Sequence, residues 1–477
     1  MKLFRKFNPI CILLICSVFA SCTTPKAIQN TDVKAIPLSY SANQDTSNSA
    51  QIKWRDFFPD KNLVTLIDTA IKNNPDLLIT LQEIEIARNN VKLKSGRLFP
   101  TVTGEVAPSI SKVGRYTSNG AGDASADITP GNLVPAPLTD FLVGFQTSWE
   151  ADIWGKLHNS KKASVTRYLG SIEGKNFVIT NLVAEVANTY YELLSSDNEL
   201  AIIRETIQLQ KNGLEIIKVQ KEAAVVTELA VKQFEAQLFN SQGIEFDILQ
   251  KIAENENKIN SLLGRFPQKI IRDGETFNAQ LPVPVKVGVP SQLLKNRPDI
   301  KQAELELFAT KCDVKAAQAE FYPSLNLTGS LGFQAFKTSY LFTTPQSLIY
   351  SLVGDLTVPL VNRSAIKAEF NNANTYQIEA LCNYQKTILN GYVEVTNELS
   401  NINHLEQAYH LKSKEVEALT KAVDISNDLF KSARASYLEV LMAQRDGLAA
   451  KMELGEAKKR QFNSVTNIYK ALGGGWK

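Results

Sequence analysis

The chain has 477 residues, 44% of them hydrophobic and 21% charged, with 52 basic and 49 acidic side chains. A formal charge of +3 with no basic stripe gives no electrostatic case for nucleic acid as a partner. His158, His404 and His410 lack a zinc-protease spacing, and no Gly-x-Ser-x-Gly elbow, phosphate-binding loop or Cys-x-x-Cys occurs. No catalytic residue, cofactor site or metal site is therefore expected.

The chain begins with a charged start, Lys2, Arg5 and Lys6, followed by an apolar run from Phe7 to Ala20. That run has signal-peptide length and falls short of the about 20 apolar residues a spanning helix needs. It ends Val18-Phe19-Ala20-Ser21-Cys22, which resembles the lipobox of bacterial lipoproteins. The resemblance implies removal of residues 1–21 and a lipidated Cys22 at the mature terminus. The alternative is an ordinary secretory signal with an incidental cysteine. Each buried acyl CH₂ contributes about 0.8 kcal/mol, so several chains would hold the terminus in a membrane. Thr23, rather than aspartate, follows Cys22, which permits outer-membrane sorting. Removing the leader's three basic residues leaves 49 basic against 49 acidic. Cys312 and Cys382 remain after Cys11, Cys16 and Cys22; isolated helical cysteines of this kind are expected to be buried and unpaired.

A linker, 22–60, leads into a first half, 61–267, and an inter-repeat segment, 268–293, containing Pro282, Pro284 and Pro290 leads into a second, 294–472. A short tail, 473–477, closes the chain. In the first half, strands are expected at about 101–113 and 139–150, joined by a loop rich in turn residues around Tyr116 to Leu138. Phe141, Val143, Phe145 and Trp149 share one strand face. No proline lies between Pro137 and Pro267, or after Pro359, and good helix formers fill both spaces. Val183, Val186, Ala187, Tyr190 and Leu194 keep helical spacing in the first space, and Val416, Leu419, Val423 and Phe430 keep it in the second. A continuous helix of roughly 60 residues would extend about 90 Å, too long for a compact core, and implies a coiled-coil or tubular assembly.

The second half expects strands at about 324–335 and 348–360. Leu325, Leu327, Leu331 and Phe333 alternate there with Asn326, Thr328, Ser330 and Gly332; Tyr350, Leu352, Leu356, Val358 and Leu360 alternate with Ser351, Asp355 and Thr357. Each segment approximates the 9–11 residues of a transmembrane strand. Four strands cannot close a barrel and an open edge cannot exist in lipid, so spanning strands would have to be pooled from several copies.

The halves repeat one another. Asn74-Pro75-Asp76-Leu77 is answered by Arg297-Pro298-Asp299-Ile300, and Leu98-Phe99-Pro100 by Phe321-Tyr322-Pro323, both at an offset of 223. Further on the offset is 209, with Glu185-Val186 on Glu394-Val395, Leu229 on Leu438, Val231 on Val440 and Leu263-Gly264 on Leu472-Gly473. The slip of 14 most simply belongs to the longer loop of the first strand pair. A period this long exceeds the roughly 50 residues of solenoid units and reads as a duplicated half-protein.

This order of elements, together with Arg297-Pro298-Asp299-Ile300, Ala319-Glu320-Phe321-Tyr322-Pro323-Ser324-Leu325, Trp149-Glu150-Ala151-Asp152-Ile153-Trp154-Gly155-Lys156 and Ser436-Tyr437-Leu438-Glu439-Val440-Leu441-Met442-Ala443-Gln444, resembles the TolC-type outer-membrane efflux ducts. The similarity is greatest to their lipoprotein branch, which serves resistance-nodulation-division pumps. It implies an α+β membrane protein: a homotrimer with a twelve-stranded β-barrel, four strands per protomer, continuous with a long periplasmic α-helical barrel. The implied partners are outer-membrane lipid, a periplasmic membrane-fusion adaptor and an inner-membrane pump. The implied activity is passive export of drugs or other small toxic compounds, with no bond made or broken.

The resemblance places a resting gate at the periplasmic ends of the helical hairpins, whose turns map to Ala223–Thr227 and Ser432–Ser436. Ala224, Val225, Ala433 and Arg434 are the implied adaptor contacts; the family commonly has glycine where this chain has Ala224 and Ala433. Leu438 matches an apolar constriction. Glu439 stands where some members carry aspartate, and Met442 where an aspartate usually forms a carboxylate ring. Met442 either packs against a neighbouring helix or lines the bore, and Glu439 is either a solvated glutamate or the remaining gate charge. Arg434 and Arg445 are expected to form interhelical ion pairs, each contributing about 0–1 kcal/mol if exposed. Two other readings stay open: a protein-secretion duct paired with an ABC transporter, and a periplasmic coiled-coil lipoprotein that forms no channel.

Overall fold

The computed structural model describes residues 37–40, 46–274, 277, 284–359, 363–432 and 434–477. The leader, Cys22, Pro282, Leu360 and Ala433 lie outside the described residues. In chain order the main elements are α1 (Lys61–Asn73), α2 (Pro75–Gly96), β1 (Thr101–Ser111), β2 (Asp127–Thr129), β3 (Asn132–Leu133), β4 (Leu138–Ala151), α4 (Lys156–Glu222) and α5 (Glu228–Leu262), with α3 (Ser118–Asp123) between β1 and β2. Then follow α6 (Pro298–Ala319), β5 (Ser324–Ala335), β6 (Leu348–Thr357), α7 (Ser364–Lys431) and α8 (Tyr437–Ala471). α2 and α6 are each 22 residues long, α4 and α7 are 67 and 68, and α5 and α8 are each 35. The duplication read from the sequence is thus a duplication of elements.

The chain divides into two units. One, Ile86–Tyr168 with Leu305–Leu381, holds all the strands. Its main sheet is antiparallel in the order β1-β4-β5-β6, so β1 and β6 are edges with a neighbour on one side only among the described residues. β1 ends at Ser111, short of 113, because its last partner is Leu138, and Pro135 and Pro137 before it supply no ladder N–H. β6 ends at Thr357, short of 360, because that residue pairs with Ser324, the first of β5 after Pro323. The loop between β1 and β4 is more ordered than turn composition suggests: it contains α3 and the β2–β3 ribbon, whose turn is Pro130-Gly131, with Gly131 at φ +78°. Pro then Gly at the two central positions is the sequence signature of a type II turn. In the helical part of this unit Phe321 packs edge-on against Phe370, and Ala163, Ala309 and Cys312 form a small apolar contact. Cys312 and Cys382 are both unpaired; Cys312 is buried, whereas Cys382 is exposed, contrary to expectation.

The other unit, Asp32–Glu85 with Leu169–Glu304 and Cys382–Lys477, contains the largest core. α1 buries Leu63, Leu66, Ile67 and Ala70, the i, i+3, i+4, i+7 face of a short amphipathic helix. Asp60 caps it by accepting from the Asn62 and Leu63 backbone N–H groups, and accepts a third bond from the Tyr190 hydroxyl at 2.7 Å. Val183, Val186, Ala187, Tyr190 and Leu194 of α4 are all buried, and aromatic stacking ties α4 to α8 through Tyr191 and Phe462, 4.5 Å between ring centres. Each of the valine, leucine and phenylalanine side chains, fully buried, contributes about 1.5–3 kcal/mol.

The two hairpins end alike. After α5 and α8 the chain turns through Gly264 (φ +64°) and Gly473 (φ +88°). A Cβ on Gly264 would fall 2.3 Å from the Asn73 carbonyl oxygen, and one on Gly473 2.6 Å from that of Asn296, so contact as well as φ requires glycine at both. Beside each glycine the residue preceding a helix-starting proline reaches a helix-end carbonyl: Asn74 donates to Leu262 O and Arg297 to Ala471 O, both at 3.0 Å. Arg297 is buried and also pairs with Asp299 at 2.7 Å and Glu394 at 2.6 Å. Gly391 leaves it room, since a Cβ there would sit 3.2 Å from the guanidinium. Removing one partner of a buried ion pair costs about 3–5 kcal/mol.

Candidate functional site

Two features carry the chemistry of a conduit: the hairpin tips and the two faces of the sheet. Both tips close with the same backbone device. Val225 N–H donates to Gln220 O at 2.9 Å, and Arg434 N–H to Leu429 O at 2.8 Å, the six-to-one bond of a Schellman turn at equivalent positions. Ala224 occupies the left-handed position of the first turn, at φ +57°, where an L-residue carries roughly 1–2 kcal/mol of strain. Its counterpart Ala433 lies outside the described residues.

Beyond the turns the tips differ. In the first, Lys221 at the end of α4 forms an ion pair with Glu228 at the start of α5, and Lys232 joins Glu235 at 2.8 Å. The Lys221 ammonium holds the Glu228 carboxyl below its ordinary range. Thr227, the cap residue of α5, makes no side-chain cap bond. In the second, Ser436 and Glu439 form a capping box: the Ser436 backbone N–H donates to the Glu439 carboxylate at 2.6 Å and its hydroxyl to the same oxygen at 3.0 Å. Those bonds hold the Glu439 carboxyl below its ordinary range. Glu439 is exposed yet engaged in its own helix start. The Ser-x-x-Glu spacing carried that signal; the Lys221–Glu228 pair, formed across a turn, had none.

Leu438 is 48% exposed and Met442 47%, one turn apart on the same face of α8. Neither belongs to the chain's own apolar clusters, whereas Val440, between them in sequence, is buried. Arg445 turns to Asp446, the next residue, at 2.9 Å rather than to another helix. Arg434 is exposed and has no acidic partner among the described residues. Val225 is exposed at the first turn.

The sheet separates its faces, with Thr139 and Thr147 as polar exceptions on one side and Leu142, Ile349 and Val353 as apolar exceptions on the other. The register puts Val102, Val106, Ile110, Phe141, Val143, Phe145, Trp149, Leu325, Leu327, Leu331, Phe333, Tyr350, Leu352 and Leu356 on one face. Many of these are open to the surroundings, with Val106 at 75% and Leu352 at 82%. The opposite face carries Thr101, Thr103, Glu105, Ser109, Asp140, Gln146, Ser148, Glu150, Asn326, Thr328, Ser330, Gln334, Ser351 and Asp355. These bond among themselves: Ser330 to Ser351 at 2.7 Å, Gln334 to Asp140 at 2.5 Å, and Gln146 to Glu105. An apolar face this exposed suits hydrocarbon, and a hydrogen-bonded polar face suits water. No helix among the described residues is long and apolar enough to cross a membrane.

Comparison with known proteins agrees with this geometry. The family model described as outer membrane efflux protein matches residues 66–265 and 289–474. The chain is 27% identical to the solvent efflux pump outer membrane protein SrpC of Pseudomonas putida, over 91% of this chain and 90% of SrpC. It is 26% identical to the cation efflux system protein CusC of Escherichia coli O6:H1, over 99% of each chain. It is also 27% identical to the probable outer membrane lipoprotein SilC of Salmonella typhimurium, over 89% of this chain and 88% of SilC. A crystal structure of CusC superposes with a TM-score of 0.80, covering 94% of this chain and 99% of that one. The chain belongs to the outer membrane efflux protein family and is an outer-membrane efflux channel of TolC-like fold.

Proposed function

We propose that the chain is the exit duct of a tripartite efflux system, acting as a homotrimer. Three copies contribute four strands each to one twelve-stranded barrel, and their long helices form the periplasmic conduit below it. The observation that carries this reading is the two-faced sheet with two bare edges: in lipid every edge must be paired, and one chain cannot pair its own. The helices make the same demand, since Phe239 and Phe246 of α5 and Leu389, Leu411 and Ile425 of α7 are exposed. The duct conducts small toxic compounds passively from an inner-membrane pump of the resistance-nodulation-division type through a periplasmic adaptor, which meets the tips at Ala224, Val225, Ala433 and Arg434. Lipid on Cys22 anchors the mature terminus in the outer membrane. The relatives' names span solvents, cations and a lipoprotein. The scarcity of methionine, only Met442 and Met452 beyond the leader, favours organic substrates over soft metal ions.

At rest, Leu438 and Met442 of three copies close the periplasmic end as an apolar plug. The test is a planar bilayer holding the purified protein. A heat-modifiable trimer with single-channel conductance is expected, and Leu438→Ala with Met442→Ala should raise conductance and admit vancomycin into intact cells. A monomer extractable with carbonate and without conductance would sink the duct reading; unchanged conductance in the double variant would sink the plug alone.

A further inference from the structure

Charge is spread unevenly over the helix ends that adjoin the sheet. The strand register brings Thr101, Ala151, Ser324 and Thr357 to one end, where α2 and α6 finish and α4 and α7 begin. In the first half of the chain, residues 86–100 and 153–168 hold eight lysines and arginines and no aspartate or glutamate. The repeat-equivalent stretches of the second half, 309–323 and 362–377, hold four basic and three acidic residues. The 49 basic and 49 acidic residues beyond the leader balance, so the excess is local to the helices joined to β1 and β4. Little of it is cancelled. Lys156 pairs with Glu150 at 2.6 Å, and Arg167 with Glu306 at 2.9 Å and Asp313 at 2.6 Å. Lys162 lies over the Phe308 ring at 5.1 Å. Lys92, Lys94, Arg97 and Lys161 form no ion pair among the described residues, and Lys92 and Arg97 are exposed.

The position of this patch is what gives it a partner. Lys92 and Arg97 precede the first residue of β1, Thr101, and Lys161 follows the last residue of β4, Ala151. At about 1.5 Å per helical residue, all four unpaired charges fall within about 15 Å of the sheet end. The apolar face suited to hydrocarbon stops at that end. A bilayer's headgroup layer is about 5–8 Å thick on each side, and the Debye length at physiological salt is about 8 Å. The patch therefore spans the headgroup layer and the reach of its field, and long lysine and arginine stems let the charges extend towards it. The opposite end of the sheet has no such excess: its loops, 112–137 and 336–347, set Lys112, Arg115 and Lys337 against Asp123 and Asp127.

We infer that the ends of α2 and α4 form a docking surface for anionic phospholipid headgroups of the periplasmic leaflet, with Lys92, Lys94, Arg97 and Lys161 as its uncompensated charges. This rests on the barrel reading above, which puts the apolar sheet face in the outer membrane and the helices in the periplasm. Phosphatidylglycerol carries a net negative charge and phosphatidylethanolamine does not, so the patch sorts the two by charge. The attraction weakens as salt is raised. A helix surface that needed only hydration would mix its signs, as the second half does.

The test is lipid retention by the full-length trimer, extracted in mild detergent from vesicles of phosphatidylethanolamine and phosphatidylglycerol and weighed by native mass spectrometry. Relative to the vesicle composition, the wild type should retain phosphatidylglycerol over phosphatidylethanolamine by about fivefold or more, and less after extraction at high salt. Lys92→Gln with Arg97→Gln and Lys161→Gln should bring the ratio to about one, and Lys92→Gln alone should give an intermediate value. Lys112→Gln with Lys337→Gln, at the opposite end of the sheet, should leave it unchanged. Equal retention of both lipids by a conducting wild-type trimer would overturn the inference and leave the duct reading standing. So would a triple variant that keeps the preference, or a loss caused by the opposite-end substitutions. A wild type that forms neither trimer nor conductance would reject the duct reading and this inference with it.

Discussion

The two helical hairpins have nearly equal lengths and the same turn, yet they are held together differently. The first is closed by its own apolar core: Ile203, Ile207, Leu214 and Ile217 of α4 meet Ala230, Val231, Phe234 and Leu238 of α5, and Val440 of α8 joins them. Its turn is bridged by the Lys221–Glu228 ion pair. In the second, Val416, Leu419, Val423 and Phe430 of α7 are only half-buried, while Ile425, Leu429, Leu438 and Met442 are exposed. Its turn is stabilised within one helix start, by Ser436 and Glu439. A hairpin with its own core keeps its shape in an isolated chain. One that leaves its apolar face open takes its shape from neighbours and changes when they do. On the gate proposed above, the second hairpin is the part that moves.

Substitutions can break this contrast. Phe234→Ala, in the closed core of the first hairpin, should cost about 3–5 kcal/mol, and Phe430→Ala, at the half-buried position of the second, no more than about half of that. Thermal unfolding followed by circular dichroism checks the pair, and equal losses would erase the distinction. Ser436→Ala should cost about 1 kcal/mol by removing the cap of α8, while Thr227→Ala, which removes no cap bond, should be close to neutral. Local amide exchange at the two helix starts reads this directly. Ala224→Gly should stabilise the first turn by about 1 kcal/mol, since glycine adopts the left-handed conformation without strain.

The smallest effect separates the tips by chemistry. Glu228 and Glu439 are both held below the ordinary glutamate value of 4.5, so each contributes stability that is present above that value and lost as pH falls through the lowered one. Acidification should therefore loosen both tips. Added salt should loosen only the first, because screening acts on the exposed Lys221–Glu228 pair and leaves the Ser436 hydrogen bonds. Exchange rates that respond to salt equally at both tips would contradict this.

Much of this architecture was readable before any coordinates, because the rules involved are local. Alternation in Leu325 to Phe333 has the period of a strand, and Asn74-Pro75 and Arg297-Pro298 mark helix starts whose proline needs no N–H partner. The buried face of α4 at Val183 to Leu194 follows from helical spacing alone. What stayed hidden depends on which surface a side chain meets. The same spacing at Val416 to Phe430 leads to half-burial, with Phe430 packed at the edge of the first hairpin's core. Arg445 looked able to reach another helix, but Asp446 is nearer. Nothing in the spacing distinguished exposed Cys382 from buried Cys312. The αL turn at Ala224 was hard to read because alanine there defies the usual residue preference.

The bare edges of the sheet bear on how the protein is made. Before it meets its copies, a chain with β1 and β6 unpaired and one side apolar carries a template for adventitious strand addition. On the proposed trimer, entry into the bilayer must therefore coincide with association. Its rate should rise steeply with the amount of protein delivered to the membrane, and a nascent copy must be shielded in transit until its neighbours arrive.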